Sequence, residues 1–259
     1  MNERRDASPA LWSRFFAANR EVADRYFTPR LYPVTHVAAI DHWFRSWVGS
    51  DAFPASRESI LEFGCGDTFH LSQMVGDRFR RRCATDFVDV EPAKWPAGVE
   101  FRKCSASSIP FGAAEFDVVV VRSVFEHLET PDVTLRELDR ILRPDGKIFL
   151  NLPNKWDYVS VGARLAGGWK SSALSGLMDP DWDDFPVFYR CNTRRDLKRM
   201  LSGTNLSIDL FRPVPSEPSY LRSFLPLYVA GAVYQFGISL AGLDFLQPAF
   251  FVVLTKKHA

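Results

Sequence analysis

Residues 60–71 read Ile-Leu-Glu-Phe-Gly-Cys-Gly-Asp-Thr-Phe-His-Leu. An apolar run meets an acidic residue, then Gly64-Cys65-Gly66, then the start of a helix. Glycine has no Cβ, so a strand that ends in a Gly-x-Gly turn lets backbone come close to a bound ligand. Glu62 narrows the choice of ligand. A carboxylate there repels phosphate and suits a ligand with positive charge on that side. The dinucleotide fingerprint G-x-G-x-x-G fails, because the residue three after Gly66 is Phe69. Taken alone, the turn also reads as an ordinary strand–turn–helix junction.

Such a turn needs a strand before it and a helix after it, and the flanking sequence repeats that unit. Strands are expected at 60–63, 82–88 with Asp86 at its tip, 99–104, 116–121 and 147–152, with a turn at Pro144-Asp145-Gly146. Two more follow at 206–212 and 249–255. Helices are expected at 69–75, 130–142 and 194–201, the last capped by Thr193. Four valines in a row, Val118 to Val121, suit a strand buried on both faces. The alternation predicts an α/β fold with a mostly parallel sheet. Upstream, near-helical spacing of aromatic and aliphatic residues predicts helices over 9–27 and 34–48. The expected organisation is a helical extension at 1–56, a core at 57–213, an apolar lid or insertion at 214–247 and a final core strand at 248–259. Removal of residues 1–48 is expected to spare ligand binding at the core. Residues 155–188 read as a long irregular insertion.

Composition excludes several classes. The chain has 259 residues, with 32 basic against 31 acidic side chains and a net charge of +1. That balance gives no electrostatic footprint for nucleic acid. Cys65, Cys83, Cys104 and Cys191 form no C-x-x-C pair and no metal spacing. They suit reduced thiols in a cytoplasmic protein. The charged N-terminus lacks the apolar region of a signal peptide.

The segment 60–71 resembles the first motif of the class I S-adenosylmethionine-dependent methyltransferases, of the methyltransferase type 11-like kind. Three further segments carry the resemblance: Cys104-Ser105-Ala106-Ser107-Ser108-Ile109-Pro110-Phe111, residues 116–128 with Phe116-Asp117 and Glu126-His127, and Leu142-Arg143-Pro144-Asp145-Gly146-Lys147. The likeness spans roughly residues 58–212. It implies a Rossmann-like doubly wound sheet of seven strands, the last antiparallel, and S-adenosyl-L-methionine as cofactor. Glu62 and Gly64 would hold the amino-acid end of that cofactor, Glu62 indirectly, with Cys65 next in the turn also on the cofactor side and Gly66 against the adenosine. Asp86 would take both ribose hydroxyls, since a carboxylate accepts two hydrogen bonds from a vicinal diol. Ser105 stands where the family has an aspartate for the adenine amino group, and Ala106 would offer backbone to the adenine edge. Arg122 and Ser123 would line the cofactor with backbone. His127 is the candidate general base, with His70 and Tyr189 as others, whereas Glu126 and His127 also read as packing and capping residues. Some members build a metal site here with Glu-x-x-Glu-His; this chain has Ser123 at the first glutamate, so no metal is expected. Thr68 and Ser105 depart from the family pattern, which keeps open a catalytically weak binding or scaffold module.

Residues 223–243 carry no charge. A helix apolar all round is buried or faces lipid. A membrane span would separate the sixth and seventh strands, so it is rejected. An acceptor lid or a peripheral membrane contact remains, the latter with Arg212, Arg222, Lys256 and Lys257 near headgroups. Residues 185–259 also resemble bacterial methyltransferases of polysaccharide or lipid-linked glycan clusters. The expected activity is methyl transfer to oxygen of a small-molecule, sugar-containing or lipid-linked acceptor such as a glycolipid. A base-modifying enzyme is disfavoured, because no Asn/Asp-Pro-Pro-Tyr/Phe motif is present. Asn151-Leu152-Pro153-Asn154 instead reads as the turn closing the fifth strand.

Overall fold

The computed structural model describes residues 7–22, 25, 36–158, 160–161, 186–216, 218 and 221–257. Two helices lead, α1 (Ala7–Val22) and α2 (His36–Val48). The alternating region follows: β1 (Ser59–Phe63), α3 (His70–Val75), β2 (Arg81–Asp86), β3 (Val99–Lys103), β4 (Phe116–Arg122), α4 (Pro131–Ile141) and β5 (Leu142–Pro153). Then come α5 (Arg194–Met200), β6 (Leu206–Val214), α6 (Leu225–Leu240) and β7 (Ala249–Lys256). Among the described residues the seven strands form one sheet in the order β3-β2-β1-β4-β5-β7-β6. β1 pairs in parallel with β2 and β4, β2 with β3, and β4 with β5. β7 runs antiparallel to β5 and inserts between β5 and β6.

The expected α/β sheet with its antiparallel last strand is therefore the observed one. The order reverses between β1 and β4, and ligands of open parallel sheets bind above the strand ends at such a point. β4 occupies the centre, and Phe116 to Val121 are all buried, as its valine run predicts. Thr193 caps α5, its side chain accepting from the Asp196 N–H at 3.1 Å.

Two local expectations change. Pro144-Asp145-Gly146 is not a turn ahead of β5 but an irregularity inside it. Pairing with β4 jumps from Phe116 opposite Leu142 to Val118 opposite Lys147. Asp145 takes a left-handed φ of 59° to make that jump. Asn151, Leu152 and Pro153 likewise continue β5 rather than close it; their partners on β7 are Phe251, Phe250 and Ala249. The expected insertion at 155–188 falls mostly outside the described residues.

The chain parts into two compact units. One holds Asp41–Lys155, Val187–Arg212 and Ala249–Ala259, and so contains nearly the whole sheet. The other includes α1 and α6. There Phe15 lies 6.4 Å from Phe224 between ring centroids, and Asn19 Oδ1 accepts the Leu225 N–H at 3.2 Å.

α2 belongs with the sheet from Asp41 onward, so the extension drawn over 1–56 does not behave as one piece. Phe44 meets Phe149 of β5 edge-on at 4.9 Å, and Trp47 stacks on Phe149 at 5.9 Å and meets Phe53 at 4.8 Å. Trp43 lies 5.8 Å from Phe251, the residue opposite Asn151. From Trp47 to Trp43, α2 thus advances toward the carboxyl end of β5. Its Asp41 end therefore reaches the same edge as the Gly64 turn. Removing residues 1–48 would strip this aromatic layer from the sheet.

Phe44 is 1% exposed. Phe44→Ala is expected to lower unfolding free energy by roughly 3–5 kcal/mol, read by chemical denaturation, because the cavity opens against Phe149. A loss below about 1 kcal/mol would place α2 outside the cooperative core.

Candidate cofactor site

The turn after β1 is tied to β2 by three hydrogen bonds. Gly64 N and Cys65 N both donate to the Thr85 carbonyl, at 2.8 and 3.1 Å. Gly66 N donates to Asp86 Oδ2 at 2.8 Å. Asp86 Oδ1 accepts the Val88 N–H at 3.1 Å. One carboxylate at the tip of β2 therefore organises backbone on both sides of the crevice. Each oxygen accepts one protein bond, which leaves lone pairs for a diol.

The two glycines are required for different reasons. Both have left-handed φ, 75° at Gly64 and 55° at Gly66. A Cβ on Gly64 would sit 2.2 Å from Val124 Cγ2, so the loop after β4 packs directly on this turn. A Cβ on Gly66 would meet nothing within 4 Å. The open approach for a ligand is thus at Gly66, and Gly64 serves the junction between β1 and β4. Cys65 between them is buried, and burial, with the Glu62 and Asp86 carboxylates, pushes its thiol well above the ordinary range. It remains a neutral thiol. Glu62 is buried on β1 at 4% exposure.

Ser105 sits just past β3, and Cys104 N donates to the Asp86 carbonyl at 2.8 Å to bring the segment beside β2. The Ser105 hydroxyl lies 3.0 Å from Ser107 Oγ and accepts the Ser107 N–H at 3.3 Å. It is shared with its own turn, and Ala106 is half-buried within that turn.

Arg122 ends β4 opposite Asn151. Ser123 follows in a left-handed conformation, φ 51°, and its hydroxyl donates to Asn151 Oδ1 at 3.2 Å. Asn151 is 1% exposed and its Nδ2 has no hydrogen-bond partner. Sequence reading assigned Asn151 to a turn and missed it here, because nothing in its spacing marks a partner on β4.

His127 lies in a single 3-10 turn, Phe125–His127, with its side chain one-third exposed. Its Nε2 is 3.9 Å from Glu126 Oε1, too long for a hydrogen bond. Glu126 is buried and its Oε2 is unpartnered. The expected capping role is not observed, since α4 has Thr130 at its N-cap and no side-chain cap. Glu126 instead acts through its backbone. Its carbonyl accepts from Phe188 N at 2.7 Å and Tyr189 N at 3.2 Å, which places residues 188–189 beside the turn. Tyr189 is also left-handed, as is Phe69. Strained backbone of this kind gathers at ligand sites.

His70, the first residue of α3, makes a 2.7 Å bond from Nε2 to Asp41 Oδ1 of α2. No sequence pattern links positions 41 and 70, so this pair was not legible. Among the described residues no group of three or more His, Cys, Asp or Glu is placed to hold a metal ion.

Burial pushes the Glu126 carboxyl from 4.5 up to about 8. The folded chain then holds a proton that the unfolded chain releases between those values, so stability falls as pH rises from 4.5 through about 8. Glu126→Gln is expected to raise Tm relative to the parent at pH 8 and to change it little at pH 5. An equal shift at both pH values would contradict the ionisation penalty.

Comparison with known proteins agrees with this geometry. Residues 61–150 match the family model described as "Methyltransferase domain". A probable S-adenosylmethionine-dependent methyltransferase of Mycolicibacterium smegmatis is 29% identical over 126 residues, 46% of this chain and 48% of that one. An O-methyltransferase of Penicillium expansum is 30% identical over 112 residues, 40% of this chain and 41% of that one. The chain spans about half the length of the curated relatives it matches. Among solved structures, the [4+2]-cyclase SpnF superposes with a TM-score of 0.56 at 14% identity, covering 97% of this chain and 96% of that one. That last likeness shows the fold alone, since one fold hosts several chemistries. Matched motif region, sheet order and turn geometry coincide: residues 61–150 form a methyltransferase domain of the class I, S-adenosylmethionine-dependent type.

Proposed function

We propose that this chain is an S-adenosylmethionine-dependent methyltransferase acting on a small-molecule, sugar-containing or lipid-linked acceptor, with oxygen as the methylated atom. The observation that carries the reading is the open approach at Gly66 beside the Asp86 carboxylate. Backbone is bare there, and an acceptor of two hydrogen bonds stands next to it. The residues present fit the cofactor. Asp86 would take the ribose diol, Ser105 and Ala106 the adenine edge, and Gly66 the adenosine. Glu62, Gly64 and Cys65 would face the amino-acid end, with Arg122 and Ser123 beneath the sulfonium.

Bound S-adenosylmethionine supplies an electrophilic methyl on a good leaving group. The chain's task is then mainly positioning, which converts a bimolecular encounter into an oriented one. The left-handed turns at Gly64, Gly66 and Ser123 fix the crevice before a ligand arrives. His127, one-third exposed beside buried Glu126, would receive the proton of a hydroxyl acceptor. The name of the Penicillium expansum relative supports oxygen as the target atom.

α6 supports a lipid-linked acceptor. Its packed face contains a polar residue, Gln235, which donates to Gln247 Oε1, while Gln247 Nε2 donates to Ser239 Oγ at 3.0 Å. Its outward residues Leu227, Val233, Phe236 and Leu240 are apolar and exposed. Its packed face also holds apolar Tyr228, Ala232 and Ile238, so the helix is apolar on both sides, as suits one lying in a membrane interface. Among the described residues no helix is long and apolar enough to cross a membrane.

Two measurements check the proposal. Isothermal titration with S-adenosylmethionine and S-adenosylhomocysteine should show binding that Asp86→Ala weakens at least about tenfold, from loss of charge-assisted hydrogen bonds. No binding by the folded parent would refute it. Flotation with phosphatidylcholine–phosphatidylglycerol vesicles should recover the parent chain with the lipid but not the Phe236→Ser, Leu240→Ser variant. Recovery of both, or of neither, would remove the membrane contact.

A further inference from the structure

Asp41 lies outside every segment that carries the family resemblance, and His70 stands near the end of the first of them; the two form a direct 2.7 Å pair. Asp41 is on the end of α2 that the aromatic layer brings to the carboxyl edge of the sheet. His70 follows the cofactor turn by four residues, Gly66 to His70. His70 Nε2–H donates to the Asp41 carboxylate. In the neutral imidazole this leaves the lone pair on Nδ1. Nδ1 and Asp41 Oδ2 make no hydrogen bond among the described residues, and no lysine or arginine there pairs with Asp41. The side chains remain 33% and 22% exposed. With the imidazole neutral, two acceptor atoms thus remain without a protein partner among the described residues, on side chains still partly exposed.

Position along the sheet says which part of a ligand would meet them. β1 lies between β2 and β4. Asp86 closes the β2 side. α2, through Phe44, Trp47 and Trp43, packs on β5 and β7 beyond β4. A ligand whose ribose rests on Asp86 and which crosses the Gly64 turn ends beside Asp41 and His70. We infer that Asp41 and His70 form the subsite for the primary ammonium at the amino-acid end of the cofactor. The inference rests on the proposed cofactor reading. It assigns α2, from outside the matched domain, a direct part in binding. An ammonium has three donors and no acceptor, which matches an Nδ1 lone pair and a carboxylate oxygen and would not match two donors.

The test uses the full chain and three probes in isothermal titration. S-Adenosylhomocysteine has the whole amino-acid end. Its decarboxylated amine keeps the ammonium without the carboxylate. 5′-Methylthioadenosine keeps the nucleoside and thioether and lacks both. Asp41→Asn and His70→Gln are each expected to weaken the first two by about tenfold or more and to leave 5′-methylthioadenosine within about twofold. Unchanged binding of the third probe also shows that the variants are folded. If S-adenosylhomocysteine keeps its affinity, or 5′-methylthioadenosine falls with it, the subsite is wrong. If only the decarboxylated amine is insensitive, the pair holds the carboxylate and the ammonium assignment is overturned. If the parent binds none of the three, the cofactor reading itself fails and this inference falls with it.

Discussion

The hydrogen bond from the Gly66 N–H to the Asp86 carboxylate is the constraint on which the site depends. It joins the end of β1 to the end of β2 across a turn of a kind that residues with a Cβ adopt only at a cost, with φ of 75° at Gly64 and 55° at Gly66. The strands bring the two tips together through parallel pairing, from Ser59 opposite Arg81 to Phe63 opposite Thr85. The loop after β4 then leans on the same turn through Val124, close enough that Gly64 has no room for a side chain. The Asp86 tip, the turn and the β4 loop are thereby one connected piece. A ligand meets a crevice already ordered, and binding energy need not be spent on shaping it.

Acidic groups define the character of that piece. Glu62, Asp86 and Asp41 come from three different elements and surround the turn from below, from the β2 side and from α2. Burial, reinforced by the field of Glu62 and Asp86, raises the cost of ionising Cys65, which stays a thiol. The same field favours a ligand with an ammonium and a sulfonium over one with phosphates. Selection among adenosine-containing ligands follows from charge, and the sheet order alone would not supply it.

The sheet was legible because its signals are local. β4 announces itself through consecutive valines, α5 through the Thr193 cap, and the strand ends through Gly64 and Asp86. The order and the antiparallel last strand followed from the family resemblance and agree with the pairing observed. What could not be read was set by contacts between distant positions. Asp41 and His70 are 29 residues apart, and their pairing depends on how α2 lies across the sheet. The role of Asn151 needs Ser123 from the neighbouring strand. The capping role expected for Glu126 is not made because its side chain is buried, while its carbonyl accepts from Phe188 and Tyr189, more than fifty residues later in the sequence. The Pro144-Asp145-Gly146 turn became a bulge because β4 offers pairing partners on both sides of it.

The central claim is that the crevice above β1, β2 and β4 is a cofactor site organised by Asp86. A crystal structure of the chain grown with S-adenosylhomocysteine tests it most directly. The account predicts both ribose hydroxyls on the Asp86 carboxylate, the adenosine against bare backbone at Gly66, and the amino-acid end over the junction of β1 and β4. Density for the ligand elsewhere, or a ribose that leaves Asp86 bonded only to Gly66 and Val88, would contradict it.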